Sequence, residues 1–401
     1  MMPMSFHPPR RTLMGPGPSD VDPRITNALA RPTIGHLDPV FIELMEELKA
    51  LLQYAFQTEN PLTLPVSAPG SAGMETCFVN LLEPGDKVII CQNGVFGGRM
   101  KENATRLGAE PVMVPDEWGT AVDLDKVRDT IAAHPDAKVL AFVHAETSTG
   151  VRSDAAALCR MATDAGMLSI VDTVTGLGGI EVAVDKWGAD AVYSGSQKCL
   201  SCVPGISPIT VSERAAERIR NRQHPVQSWF LDLNLVMGYW GGGDTNGQPI
   251  KRAYHHTAPI NALYALHEAL TILKEEGLEN SFARHRQNHL ALRAGLDALG
   301  LPLVVKEEDR LPQLNLVGVP EGIDEAAVRK LLLDEYSLEI GAGLGDLAGK
   351  VWRIGLMGYG SNPTNVRLCL AALEHALNAQ GHARSGSIAA ANATYGAAEA
   401  A

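Results

Sequence analysis

An α/β fold built on a mainly parallel sheet, followed by a smaller α+β unit, is what the sequence predicts, and two patterns predict it. Between residues 60 and 215, short β-branched runs alternate with longer stretches of helical spacing, the rhythm of strand–helix–strand units. Beyond residue 262 the pattern turns helical and then yields a second, shorter set of strands and helices. A chain of 401 residues can bury both cores without disulfides or a structural metal.

Taken in order, residues 87–91, 139–144, 167–172, 190–193 and 207–211 read as buried strands, and 153–165 carries helical spacing. Three of these strands run into polar segments: 144–149, Asp172 with Thr173, and 194–198. Ligands of open α/β sheets sit at the carboxyl ends of strands, so these loops are expected to face one site. Residues 262–300 read as one long helix joining two domains, with Leu263, Leu266, Leu270 and Leu273 on one face. Strands then follow at 313–319, 339–341 and 351–355, with helices at 325–335 and 365–378. From residue 381 onward Ala, Gly, Ser and Asn dominate, which reads as a tail with little to bury. The expected organisation is an N-terminal segment 1–20, a large domain 21–275, a small domain 276–380 and the tail 381–401.

Composition narrows the function classes. The chain is 45% hydrophobic and 20% charged, the balance of a globular enzyme. With 34 Lys and Arg against 46 Asp and Glu, the formal charge of −12 argues against a phosphate-tracking surface for nucleic acid, while a local basic pocket for a small anion stays open. No apolar run approaches the roughly 18 residues of a membrane span, and residues 1–14 lack a signal-peptide core. Six scattered cysteines suit a reducing compartment, so the cytoplasm is expected.

Two segments carry chemistry. Ser67-Ala-Pro-Gly-Ser-Ala-Gly-Met-Glu75 places small residues ahead of a helical run, where free backbone N–H groups and the helix dipole can cradle a phosphate. It is neither a Walker loop nor a dinucleotide fingerprint. Lys198 stands in a small, polar segment just after a strand, and Asp172 ends another strand at the same sheet edge. An amine and a carboxylate so placed, with a phosphate loop nearby, suit pyridoxal phosphate: the lysine forms the Schiff base and the carboxylate keeps the pyridine nitrogen protonated. Other patterns read as structural. Cys199 and Cys202 form a single CxxC pair favouring packing over metal or redox chemistry, and no metal site is expected. His285 and His289, four apart without the metalloprotease glutamate, read as solvated helix polarity. His255 and His256 read as structural, and residues 341–345 as a loop of the small domain.

The motifs Leu13-Met-Gly-Pro-Gly-Pro-Ser19, Asn93-Gly-Val-Phe-Gly97, His144-Ala-Glu-Thr-Ser-Thr-Gly150, Val171-Asp-Thr-Val-Thr-Gly-Leu-Gly-Gly179, Ser194-Gly-Ser-Gln-Lys198, Tyr254-His-His-Thr257 and Val351-Trp-Arg-Ile-Gly-Leu-Met-Gly358 occur in order over residues 12–380. They resemble the fold-type I pyridoxal-phosphate enzymes of aminotransferase class V, and within them the alanine–glyoxylate (serine–pyruvate) aminotransferase family. The resemblance implies a large domain with a sheet of the seven-stranded type and a homodimer with shared active sites. It makes Lys198 the Schiff-base lysine and Asp172 the partner of the pyridine nitrogen. Phe96 takes the stacking position, with Val174 on the opposite face of the ring. Gly70, Ser71, Ala72 and Gln197 match phosphate-loop positions, while Tyr254 and Thr257 match residues reaching the phosphate from the neighbouring subunit. Thr147 lies where a hydroxyl approaches the ring oxygen and substrate, Arg353 where an arginine takes the substrate carboxylate, and Gly17 and His36 on the substrate side.

There are departures from the pattern. Ser67-Ala-Pro-Gly70 has Pro69 where relatives commonly carry a hydroxyl, Phe96 stands where several have Trp, and the identity at His36 varies with substrate. The implied reaction is transamination of a small amino acid, alanine first and serine second, with glyoxylate as the 2-oxo acid. The ureidoglycine–glyoxylate branch tends to carry amides at the positions of His36 and Tyr254, so Tyr254 favours the alanine/serine branch. Cysteine desulfurases stack a histidine and precede the lysine with one, unlike Phe96 and Gln197. A cofactor-free binding module is disfavoured by the joint presence of Lys198 and Asp172.

Overall fold

Continuous burial along short β-branched segments is the mark of strands covered on both faces, and it organises the larger part of the computed structural model, which describes residues 5–241 and 252–399. The strands are β1 (Leu62–Val66), β2 (Lys87–Gln92), β3 (Glu110–Pro115), β4 (Val139–Val143), β5 (Leu168–Asp172), β6 (Ala191–Tyr193) and β7 (Ser207–Val211). They form one seven-stranded sheet in the order β1-β7-β6-β5-β4-β2-β3. Only β7 runs against its neighbours; the other pairings are parallel. All five residues of β1, β4, β5 and β7 are buried. The sheet is therefore a mixed, mainly parallel one, with helices on its faces such as α1 (Gly70–Leu81) and α2 (Val95–Arg106). Helix starts follow local chemistry: Asp38 and Asn362 each accept a hydrogen bond from a first-turn N–H of helices that open on Pro39 and Pro363.

The stretch expected as one long helix is two. α3 (Ile260–Glu276) and α4 (Leu278–Ala298) are separated at Gly277, whose φ of 85° a side chain would resist. α4 leads into a three-stranded antiparallel sheet of β8 (Leu314–Gly318), β9 (Gly341–Ala342) and β10 (Val351–Gly355), with β10 central. α5 (Glu325–Tyr336) and α6 (Pro363–Ala379) cover it. Trp352 is fully buried there and donates its indole N–H to the Glu325 carbonyl at 3.2 Å, so truncating it costs about 3–5 kcal/mol. The N-terminal segment joins this smaller unit: Thr12–Leu13 pairs in parallel with Leu338–Glu339, and Met14 lies in its core.

The C-terminal region also departs from expectation. Instead of a tail, Ser387–Glu399 forms a helix, α7, packed on α4. Alanine is the best helix former, and its small side chain lets two helix backbones approach closely. Tyr395 donates to Asn288 at 2.7 Å, Arg367 donates to Asn392 at 2.8 Å, and Ala391 is fully buried. Among the described residues no helix is long and apolar enough to cross a membrane.

Candidate active site

Parallel register brings three strand ends level. Val143 pairs with Asp172, and Asp172 pairs with Tyr193, so the loops after β4, β5 and β6 open on one edge. Asp172 is buried, its Oδ1 accepting from the Val174 N–H at 2.8 Å and its Oδ2 from the Tyr193 hydroxyl at 2.7 Å. Burial pushes its pKa up to about 6, against the pull of these two donors and of the Lys198 and Arg99 charges. Tyr193 escaped the sequence reading; the signal for it is the register, since a residue level with Asp172 on the next parallel strand is its natural partner.

Lys198 follows β6 in a loop tied to the N-terminal segment. Ser19 donates its N–H to the Gln197 carbonyl at 2.9 Å and its hydroxyl to the Lys198 carbonyl at 2.7 Å. The lysine amine is buried and donates to the Pro16 carbonyl. Gly17, at φ 101°, packs against that side chain so closely that any Cβ would collide with the amine. Burial, aided by the Arg353 charge, lowers the Lys198 pKa to about 8, which leaves a usable neutral fraction near physiological pH.

Arg353 lies on β10, and its Nε donates to the Ala342 carbonyl at 2.7 Å while Nη1 reaches the Thr147 carbonyl at 3.3 Å. It is buried and makes no ion pair among the described residues. Thr147 is itself buried, its hydroxyl bonded to that of Thr175. Glu146, beside it, is a second group the sequence reading passed over. Fully buried, it accepts from the Ser148 hydroxyl at 2.6 Å and the Phe96 N–H at 3.2 Å, anchoring the start of α2; burial and the nearby Asp172 charge raise its pKa to about 7.

The loop before α1, expected to cradle a phosphate, sits against the same edge. A side chain added at Gly70 would meet Val174 Cγ2 at 3.3 Å and the Ser194 carbonyl at 3.4 Å. Pro69 caps α1 without a side-chain hydrogen bond, and the Gly70 and Ser71 N–H groups have no acceptor among the described residues. Gln197 Oε1 is buried without a partner, and since this oxygen only accepts, the side chain can serve an anion only through its Nε2 donors. Phe96 is half-buried at the start of α2, with the Arg99 guanidinium 4.7 Å from its ring centroid. Free N–H groups on a helix start, a buried amine and a buried carboxylate fit the phosphate, aldehyde and ring nitrogen of pyridoxal phosphate.

His36, Tyr254 and Thr257 are not brought to this cluster within one chain. The His36 ring lies 5.2 Å from that of Tyr254, while Tyr254 and Thr257 are exposed. Between them His255 stacks on Trp229 at 4.4 Å, and His256 bonds Ser67 at 2.7 Å. Cys199 and Cys202 are buried thiols whose pKa burial pushes up to about 12. His285 and His289 correct the expectation of solvated polarity: both are buried, because α4 packs against the Gly358 loop and β8, where their nitrogens find partners in Ser281, Gly358 and Asn315.

A family model described as Aminotransferase class-V matches residues 24–345. The (S)-ureidoglycine–glyoxylate transaminase of Bacillus subtilis (strain 168) is 39% identical over 388 residues, 92% of this chain and 91% of that protein. The alanine–glyoxylate aminotransferase of Callithrix jacchus is 40% identical over 371 residues, covering 92% of this chain and 88% of its own. Among solved structures, an alanine–glyoxylate aminotransferase from Nostoc sp. superposes with a TM-score of 0.90 at 45% identity, over 94% of this chain and 98% of that one.

Proposed function

Because the chain belongs to the class V aminotransferases, which are pyridoxal-phosphate enzymes, we propose that it transfers the amino group of alanine, with serine as second donor, to glyoxylate, giving pyruvate or hydroxypyruvate and glycine. The observation that carries this reading is Arg353: a buried guanidinium held only by backbone carbonyls, with donors left for a substrate carboxylate. The cofactor, when bound, supplies an aldehyde for the substrate amine and a ring that spreads the charge left when Cα loses its proton. The Gly70 and Ser71 N–H groups and the Gln197 Nε2 would hold its phosphate, the Ala72 N–H being already donated to the Pro69 carbonyl at 2.7 Å; Phe96 and Val174 would border its ring, and Asp172, oriented by Tyr193, would keep its nitrogen protonated. Lys198, whose buried amine has a lowered pKa, would take the Cα proton and return it as general base and acid. Thr147 and Gly17 border the substrate.

In this reading the protein is a homodimer. Tyr254 and Thr257, exposed on one chain, complete the phosphate site of a second copy, and His36 faces the entrance. Six free, buried cysteines fit a reducing cytoplasm. The second reading, ureidoglycine as donor, is motivated by the equally similar Bacillus relative; the aromatic His36–Tyr254 pair supports alanine or serine instead. A panel of alanine, serine and ureidoglycine against glyoxylate and pyruvate tests the assignment: kcat/KM should be highest for alanine or serine with glyoxylate, and a dominant ureidoglycine rate would replace it by the second reading.

A further inference from the structure

Arg99 stands beside the loop that opens α1, next to Ser71. It lies on α2 one turn beyond Phe96; its guanidinium covers that ring at 4.7 Å, and Nη1 is 3.5 Å from Ser71 Oγ, a loose contact that leaves its donors free. The acid one turn further along, Glu102, pairs instead with Arg106 at 2.6 Å. Arg99 makes no ion pair among the described residues, although the chain has 46 acidic against 34 basic side chains. Its charge reaches inward far enough to act on both Asp172 and Lys198.

The helix start it faces has few donors and no cation of its own. Pro69 supplies neither an N–H nor a hydroxyl, leaving Ser71 and the N–H groups of Gly70 and Ser71 at the start of α1. These are neutral, and a bound phosphate ester at neutral pH carries close to two negative charges. A guanidinium pinned on an aromatic face is pre-organised to pair with such an anion in a bidentate fashion.

We propose that Arg99 is a direct ligand of the cofactor's phosphate, so that one helix, α2, supplies both the ring-stacking Phe96 and the cation that offsets the missing donor at Pro69. This rests on the reading of Gly70 and Ser71 as the phosphate cradle. The phosphate-specific part of cofactor affinity is then the quantity to measure.

The full-length chain, freed of cofactor, is titrated with pyridoxal phosphate and with unphosphorylated pyridoxal, following intrinsic fluorescence. For Arg99→Gln, affinity for the phosphate form should fall about 10- to 100-fold, the range for a charge-assisted hydrogen bond, while pyridoxal affinity changes by less than about three-fold. Arg99→Lys should recover part of the loss, because a point charge replaces the fork. Arg99→Gln binding both ligands more weakly to the same extent, or retaining wild-type preference for the phosphate, would overturn the role of Arg99 while leaving the cradle intact. A wild-type chain that does not distinguish the two ligands would overturn the cradle itself.

Discussion

Burial raises the proton affinity of Asp172, and two donors, the Tyr193 hydroxyl first and the Val174 N–H second, hold that rise back. Removing the phenol takes away a hydrogen bond to the ionised form, so the Asp172 pKa must rise from about 6. Tyr193→Phe should therefore move the acid limb of the pH profile of kcat/KM upward by about one unit or more, since hydrogen bonds to charged groups contribute about 1.5–3 kcal/mol. An acid limb unchanged in Tyr193→Phe would show that Asp172 does not govern it. Asp172 was legible in the sequence as the polar end of an apolar strand, and Lys198 as the amine of the small, polar segment that follows the next one. The contacts of Tyr193, Glu146 and Arg99 were not, because they are set by register or by a neighbouring helix.

At the scale of elements, α4 is joined to the Gly358 loop by Arg284, which donates to the Gly358 and Ser361 carbonyls at 2.7 and 2.9 Å, by Asn288, which donates to the Ser361 carbonyl at 3.0 Å, and by the His285 imidazole. His285 Nδ1 donates to the Ser281 carbonyl at 2.7 Å, which leaves Nε2 to accept the Gly358 N–H at 2.9 Å. The ring is thus held neutral, and burial depresses its pKa to about 4. Between about 6.5 and 4 the unfolded chain takes up a proton that the folded one refuses, so this contribution to stability is lost as pH falls through that window. Urea unfolding at pH 7 and pH 5 should show wild type losing about 2 kcal/mol more than His285→Gln, the amount this one group contributes. Equal losses would mean that His285 titrates freely in the fold. Strands such as Ser207–Val211 and Val351–Gly355 were readable as apolar runs. Glu110–Pro115 was not: it is an edge strand, with prolines at 111 and 115 and mostly partial exposure, so it lacks the pattern of a buried one. Helical spacing continues across Gly277, so the break between α3 and α4 was invisible to periodicity, and the apolar-poor C-terminal helix is held by alanine packing and side-chain hydrogen bonds.

For the whole molecule, a formal charge of −12 contrasts with a cleft that gathers Lys198, Arg353 and Arg99, an arrangement that draws small carboxylate and phosphate anions to one place. If Tyr254 and Thr257 complete a second copy's site, mixing Lys198→Ala subunits with Thr257→Ala subunits should form hybrid dimers with one wild-type site, and activity should rise above that of the two proteins kept apart. No rise on mixing would place each site within one chain. The site also joins the two cores of a single chain, because Arg353 on the small sheet contacts Thr147 at the edge of the large one. The kinetics of Arg353→Ala test the proposed substrate pose most directly. Losing one partner of a partly desolvated, charge-assisted pair costs about 2–5 kcal/mol, so kcat/KM should fall roughly 30- to several-thousand-fold for alanine, serine and glyoxylate alike, with Arg353→Lys recovering only part and the cofactor's absorption without substrate unchanged. Efficiency within a few fold of wild type, or loss of cofactor binding, would contradict the assignment of Arg353 as the carboxylate clamp.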